Sequence, residues 1–182
     1  MTVVVADTSP LNYLVLIGEI GILRRLYGRV LVPPEVLAEL SANGAPSAVL
    51  EWVQSQPEWL EVREVHENQD DPALRYIDPG ERAAILLAQQ EPDVLLLMDD
   101  AAGRAEATRR EIPNTGTLGV LRAAALRNLL DLPAALTRLA ATNFRVSRSL
   151  LKTSWRRTRN AARARAMSNV AAPPRSERCS LP

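Results

Sequence analysis

Residues 3–17 read VVVADTSPLNYLVLI. The opening VVVA is a short, unbroken apolar run, the pattern of a strand covered on both faces as in a parallel sheet. A carboxylate, Asp7, follows at once, then the small polar pair Thr8 and Ser9, then apolar residues at helical intervals (Leu11, Leu14, Val15). Strand, acid and helix in that order make the first half of a βα unit. Burying an unpaired carboxylate where a covered strand ends is costly unless a cation or hydrogen bonds compensate. Asp7 therefore needs either a helix to cap or a cation to hold.

The same alternation continues along the chain. Gly18 and Gly21 divide the stretch from Pro10 to Tyr27 into two short helices. Val30 to Val32 reads as a strand, and Pro34 opens a helix at its first position. Residues 48–56 are helical in pattern, WLEVREV is a further strand, and HENQDDPALRYIDPG is a polar loop. DPGERAAILLAQQ carries a helix start, with Asp78 at the cap, Pro79 in the first turn and Glu81 three residues after the cap. DVLLLM is the most apolar strand, ending at Asp99 and Asp100. A helix over 101–110, a short strand or turn at IPNTG, and helices over 118–129 and 132–141 complete the body. Repeated βα units predict an α/β sandwich with a mainly parallel sheet and right-handed crossovers. In such sheets ligands bind beyond the carboxyl ends of the strands, where Asp7 and Asp99 fall.

Composition bounds the function. A chain of 182 residues, 47% hydrophobic and 24% charged, fits one soluble globular domain with a tail. The single Cys179 excludes an internal disulfide and points to a reducing, cytoplasmic setting. The apolar runs fall far short of the ~18 residues of a membrane span, and the N-terminus has no basic region ahead of an apolar segment, so neither membrane insertion nor a signal peptide is expected. Charge is unevenly placed: residues 1–144 hold 12 Arg and no Lys against 20 Asp plus Glu, a balance of −8, whereas residues 145–182 hold 9 Arg and Lys152 against Glu177, a balance of +9. Residues 152–182 also lose apolar periodicity. The chain thus divides into a body, 1–151, and a basic tail, 152–182, suited to nucleic acid or an acidic partner.

The acids carry the chemistry. Asp7, Glu39, Glu81 and Asp99 with Asp100 lie where the topology could gather them. Clustered carboxylates repel and raise one another's pKa values unless a divalent cation compensates. Oxygen-only ligands suit Mg²⁺ or Mn²⁺, and such ions activate water and stabilise charge on a phosphodiester during in-line attack. Each acid also has a simpler reading: Asp7 as a helix cap, Glu81 completing a capping box with Asp78, Glu39 as a surface acid four residues from Glu35, Asp99 and Asp100 as caps of the next helix.

Taken in order, VVVADTSPLNYL, VPPEVLAEL, PGERAAILLA, LLLMDDAAGRAEA and NTGTLGVL resemble the PIN-domain ribonucleases, in a branch close to the VapC-like toxins of bacterial and archaeal toxin–antitoxin pairs. The resemblance covers residues 3–151. It implies a three-layer α/β/α sandwich and RNA cleavage with Mg²⁺ or Mn²⁺. By motif, Asp7 matches the first metal-binding Asp, Glu39 the helix Glu, Glu81 an acid where many relatives have Asp, and Asp99 the acid after the fourth strand, with Asp100 as an alternative ligand beside it. Thr8, Ser9 and Thr117 match polar support or substrate-contact positions, and Arg104 matches an Arg common after the paired Asp. Asn12 and Gly103 depart from the pattern. The resemblance also implies a homodimer and a protein antitoxin.

Two rival readings remain. A non-catalytic RNA- or partner-binding module would use the acids only as caps. A haloacid-dehalogenase-like phosphatase would want a second Asp where Ser9 stands and a core Lys, whereas the one Lys is Lys152 in the tail. The sole histidine, His66, gives no support to a Ser-His-Asp triad or a multi-histidine zinc site.

Overall fold

The computed structural model describes residues 2–65 and 71–144. The boundary drawn at residue 151, the basic tail, His66, Lys152 and Cys179 lie outside the described residues. The element order is β1 (Val3–Ala6), α1 (Thr8–Leu16), α2 (Ile22–Tyr27), β2 (Val30–Val32), α3 (Pro34–Leu40), α4 (Ser47–Ser55), β3 (Leu60–Val62), α5 (Pro79–Gln90), β4 (Val94–Leu97), α6 (Ala101–Arg109), β5 (Asn114–Thr115), α7 (Thr117–Leu126) and α8 (Leu132–Ala140). All five strands pair in parallel in the order β3-β2-β1-β4-β5. This is the α/β/α sandwich that the alternation of strands and helices predicts.

Parity along the strands divides the core in two. Val4, Ala6, Val30, Val32 and Leu97 join the buried faces of α1, α2, α3, α4, α7 and α8, whereas Val5, Leu31, Leu96 and Met98 pack with α5 and α6. Apolar surface buried on both faces explains why the strands read as continuous runs and not as alternations. The chain leaves β1 toward β2 and β3 on one side, then returns to place β4 and β5 on the other. Reversal of strand order beside β1 opens a crevice at the carboxyl ends of β1 and β4.

Three stretches differ from the sequence reading. WLEVREV contributes only residues 60–62 to the sheet. The helix predicted over 118–129 begins at Thr117 and ends at Leu126, because Asn128 turns into the left-handed region at φ 55° and breaks the ladder. Within the polar loop, Pro72–Leu74 form a 3₁₀ turn that buries Leu74 in the core, with the Asp71 carboxylate accepting from the Ala73 N–H at 2.9 Å.

Candidate functional site

Strand register sets the first two acids side by side. Ala6 pairs with Leu97, and the Asp7 N–H extends the ladder to the Leu97 carbonyl at 2.9 Å. Asp7 then caps α1, but weakly: its Oδ2 accepts from the Ser9 N–H at 3.5 Å, beyond a well-formed bond. Its Oδ1 is buried with no hydrogen-bond partner, and the residue is only 1% exposed. Burial pushes the Asp7 carboxyl up to about 7, opposed by the Thr8 and Ser9 backbone donors and reinforced by the charges of Glu39 and Asp99. The cap reading accounts for one oxygen and leaves the other unexplained.

Asp99 is held differently. Leu97 pairs with Thr115, so counting two residues along each parallel strand brings Asp99 opposite Thr117. Thr117, fully buried at the start of α7, donates its N–H to Asp99 Oδ1 at 2.8 Å and its hydroxyl to Oδ2 at 2.5 Å. Gly116 makes room, since a Cβ there would collide with Asp99 Oδ1. Desolvation raises the Asp99 pKa, while the two Thr117 donors and the Arg104 charge pull it down. The neighbouring Asp100 is exposed and caps α6, its Oδ1 accepting from the N–H groups of Ala102 at 2.7 Å and Gly103 at 3.1 Å.

Glu39, on α3, is a strut. Its Oε2 accepts the Thr8 hydroxyl at 2.5 Å and its Oε1 the Gly80 N–H at 2.7 Å, which ties α3 to the first turns of α1 and α5. A Cβ on Gly80 would lie 2.5 Å from the Glu39 carboxylate, so only glycine admits the acid this closely. This bond also corrects the capping box expected at α5. The Asp78 side chain makes no capping hydrogen bond: Pro79 has no N–H to offer, and the next donor, Gly80, is taken by Glu39.

Glu81, in the first turn of α5, is therefore released from capping. Desolvation raises its carboxyl to about 8, with further upward pressure from the charges of Asp7, Asp100, Asp78 and Glu39. It also nears α6, since a Cβ on Gly103 would sit 3.2 Å from Glu81 Oε2. The steric reason for Gly103, which departs from the sequence pattern, is chiefly Met98, with whose Sδ a Cβ there would collide. Arg104 donates its Nε to Asn114 Oδ1 at 3.2 Å and stays exposed at the rim.

The structure thus brings Asp7, Glu39, Glu81, Asp99 and Asp100 to one end of the sheet, supported by Thr8, Ser9 and Thr117. A family model described as a PIN domain matches residues 3–160. The chain belongs to the PIN-domain family. No curated protein and no solved structure matches it significantly. PIN domains are generally nucleases and typically use divalent metals.

The residues of this PIN domain fit such a cation in chemistry more than in closure. Among the described residues, no three His, Cys, Asp or Glu side chains form a ready-made group of ligands, and the oxygens of Glu39 and Asp99 accept from protein donors. Mg²⁺, however, is usually held by one or two carboxylates, several waters and substrate phosphates, without an all-protein cage. A buried, unpartnered carboxylate oxygen among other acids is the donor such an ion needs. Sequence reasoning missed Asp78 as a further negative charge on Glu81 and Gly80 as the donor to Glu39. The Asp-Pro-Gly run held the signal for both, since proline removes the N–H that a cap would use.

Proposed function

We propose that this PIN domain is a metal-dependent endoribonuclease that hydrolyses RNA phosphodiester bonds and serves as the toxin of a toxin–antitoxin pair. The observation that carries the reading is Asp7: a carboxylate 1% exposed, with one oxygen unpartnered, whose pKa is raised by burial and further by the charges of Glu39 and Asp99. Among the described residues no cation balances it directly; Arg104 lowers Asp99 and stays at the rim.

In this reading Asp7, Glu81 and Asp99 hold Mg²⁺ or Mn²⁺, with Asp100 adding negative potential from the cap of α6. The ion would supply an activated water and charge neutralisation on the phosphodiester. Thr117 fixes the rotamer of Asp99 through two donors. Glu39 sets the spacing of the Asp7 and Glu81 turns through Thr8 and Gly80. Arg104 supplies a cation at the rim for an RNA phosphate, and Ser9 lends its N–H to Asp7. A protein antitoxin, a homodimer and a cytoplasmic setting belong to the same proposal; among the described residues no helix is long and apolar enough to cross a membrane.

The decisive experiment incubates purified protein with mixed RNAs, with and without Mg²⁺ or Mn²⁺. Metal-dependent fragments support the nuclease. One observation favours the rival, a non-catalytic RNA- or partner-binding module: both oxygens of Glu39 and of Asp99 are satisfied within the protein. Binding without cleavage at any metal concentration would establish it. The basic tail, with its balance of +9 over residues 145–182, is assigned to phosphate contacts. Deleting 152–182 is expected to weaken RNA binding and flatten its salt dependence, with turnover at saturating RNA largely kept; an unchanged salt slope would reject that role.

A further inference from the structure

The stretch around β5 holds two groups of opposite charge. Thr117, just beyond the strand, holds the acid Asp99, and Asn114, its first residue, holds the cation Arg104. The two held groups are close enough for the Arg104 charge to bear on Asp99.

Arg104 sits in a closed ring of hydrogen bonds. Its carbonyl accepts the Thr108 hydroxyl at 2.8 Å, Thr108 Oγ1 accepts from Asn114 Nδ2 at 3.1 Å, and Asn114 Oδ1 accepts from Arg104 Nε at 3.2 Å. Chemistry fixes every direction in that ring. A carbonyl only accepts and a guanidinium only donates, so Thr108 turns its proton to the carbonyl and a lone pair to the amide. Asn114 Nδ2 also donates to the Ile112 carbonyl at 3.1 Å, which leaves the amide oxygen for the arginine. With Nε taken, Arg104 is left to present its two terminal nitrogens, which have no hydrogen-bond partner among the described residues.

The neutrality of the partner matters. Arg29, Arg63, Arg109, Arg110 and Arg138 all pair with carboxylates. Arg104 is held by an uncharged amide instead, so it is oriented without being neutralised. Orienting a guanidinium before its ligand arrives removes part of the ordering cost of binding, and the free end of its fork matches two oxygens of one phosphate.

We propose that Asn114 is a positioning residue, which orients Arg104 to grip one RNA phosphate end-on through both terminal nitrogens. This deepens the ribonuclease reading and rests on it. The test uses the full chain with Asp7→Asn, which is expected to bind without cutting, and fluorescence anisotropy of labelled RNA. Adding Arg104→Ala is expected to weaken binding about 10- to 100-fold, and Asn114→Ala about 2- to 10-fold. Asn114→Ser, too short to reach the guanidinium, is the second variant and is expected to match Asn114→Ala. The Arg104→Ala, Asn114→Ala double variant is expected to bind like Arg104→Ala alone, since orienting an absent side chain contributes nothing. In a series of oligonucleotides with one phosphate at a time replaced by a neutral methylphosphonate, one position is expected to weaken the parent but not Arg104→Ala, with an intermediate penalty in Asn114→Ala. In the active protein, Asn114→Ala is expected to raise KM with little change in kcat.

Unchanged binding in folded Asn114→Ala and Asn114→Ser would overturn the proposal. So would an Asn114→Ala loss of the same size with and without Arg104→Ala, which would make Asn114 a structural residue. The phosphate grip falls if no methylphosphonate position separates the parent from Arg104→Ala. If wild-type protein still cuts RNA in any of these cases, the ribonuclease reading stands while this inference falls. If wild type neither binds nor cuts any RNA, both fall.

Discussion

The two ends of α6, ~13 Å apart along nine residues, treat carboxylates in opposite ways. At its C-terminal end Glu106 accepts from Arg109 at 2.6 Å and Arg110 at 2.6 Å, and Arg110 also reaches Asp71 and Gln89. Those guanidinium groups hold Glu106 down at about 2, chiefly through the Arg109 hydrogen bond, and Asp71 below the usual carboxylate range. At its N-terminal end Glu81 is pushed up to about 8 and Asp7 to about 7. Burial contributes the largest part there, and neighbouring acids add to it. Among the described residues, the fold that places arginines against Glu106 places none against Asp7. That contrast, drawn among the described residues, is the basis for proposing that the cluster takes its cation from outside.

The largest expected effect is on catalysis. Asp7→Asn should lower metal-dependent RNA cleavage by about 10³-fold or more, as loss of an ion's stabilisation of transition-state charge requires, while the protein stays folded. Cleavage assays with circular dichroism check both halves; full activity would remove Asp7 from the site. Thr117→Val should cost about 10- to 100-fold in activity, because it removes the hydroxyl that orients Asp99, and Thr117→Ser should restore most of it. Equal activity in the Val and Ser variants would mean that the backbone donor alone suffices.

Arg110→Ala sharpens the comparison from the other end. It should lower the melting temperature by about 5 °C through loss of three charge-assisted bonds, with metal-dependent turnover at 25 °C unchanged. A loss of turnover in folded protein would show that the two ends are coupled. The smallest effect belongs to Asp78→Asn. A working helix cap would cost ~1 kcal/mol on removal, but this side chain makes no capping bond, so the melting temperature should move by no more than about 1 °C.

Much of this was legible in the sequence because it is local or periodic. Strands β1 and β4 are apolar runs that only a doubly covered sheet can bury, and each acid following them inherits its place from the strand end. Pro34 and Pro79 marked helix starts through their fixed φ. The partners of the acids were less legible, since they are set by distant segments. Glu39 meets Gly80 across 41 residues and Asp99 meets Thr117 across 18. Local capping rules assigned Asp78 to a donor that tertiary packing had given to Glu39. The choice between Asp99 and Asp100 also turned on three dimensions: adjacent and identical in type, one faces buried Thr117 and the other the solvent-exposed cap of α6.

The central claim is that the acid cluster is short of a cation, and proton linkage tests it directly. For Asp7 and Glu81 the folded pKa lies above the unfolded value, so between about pH 4 and 8 the folded state keeps protons that the unfolded chain has released. Stability must then fall as pH rises through that window. For Asp7 a shift from 3.8 to about 7 corresponds to on the order of 4 kcal/mol. The measurement is the melting temperature of metal-free protein at pH 5.5 and 8.5, with and without Mn²⁺, for wild type and Asp7→Asn. Wild type should melt about 5–10 °C lower at pH 8.5 than at pH 5.5, and Mn²⁺ should recover most of the difference. In Asp7→Asn both the pH dependence and the recovery should shrink. A wild-type protein equally stable at the two pH values and indifferent to Mn²⁺ would contradict the account.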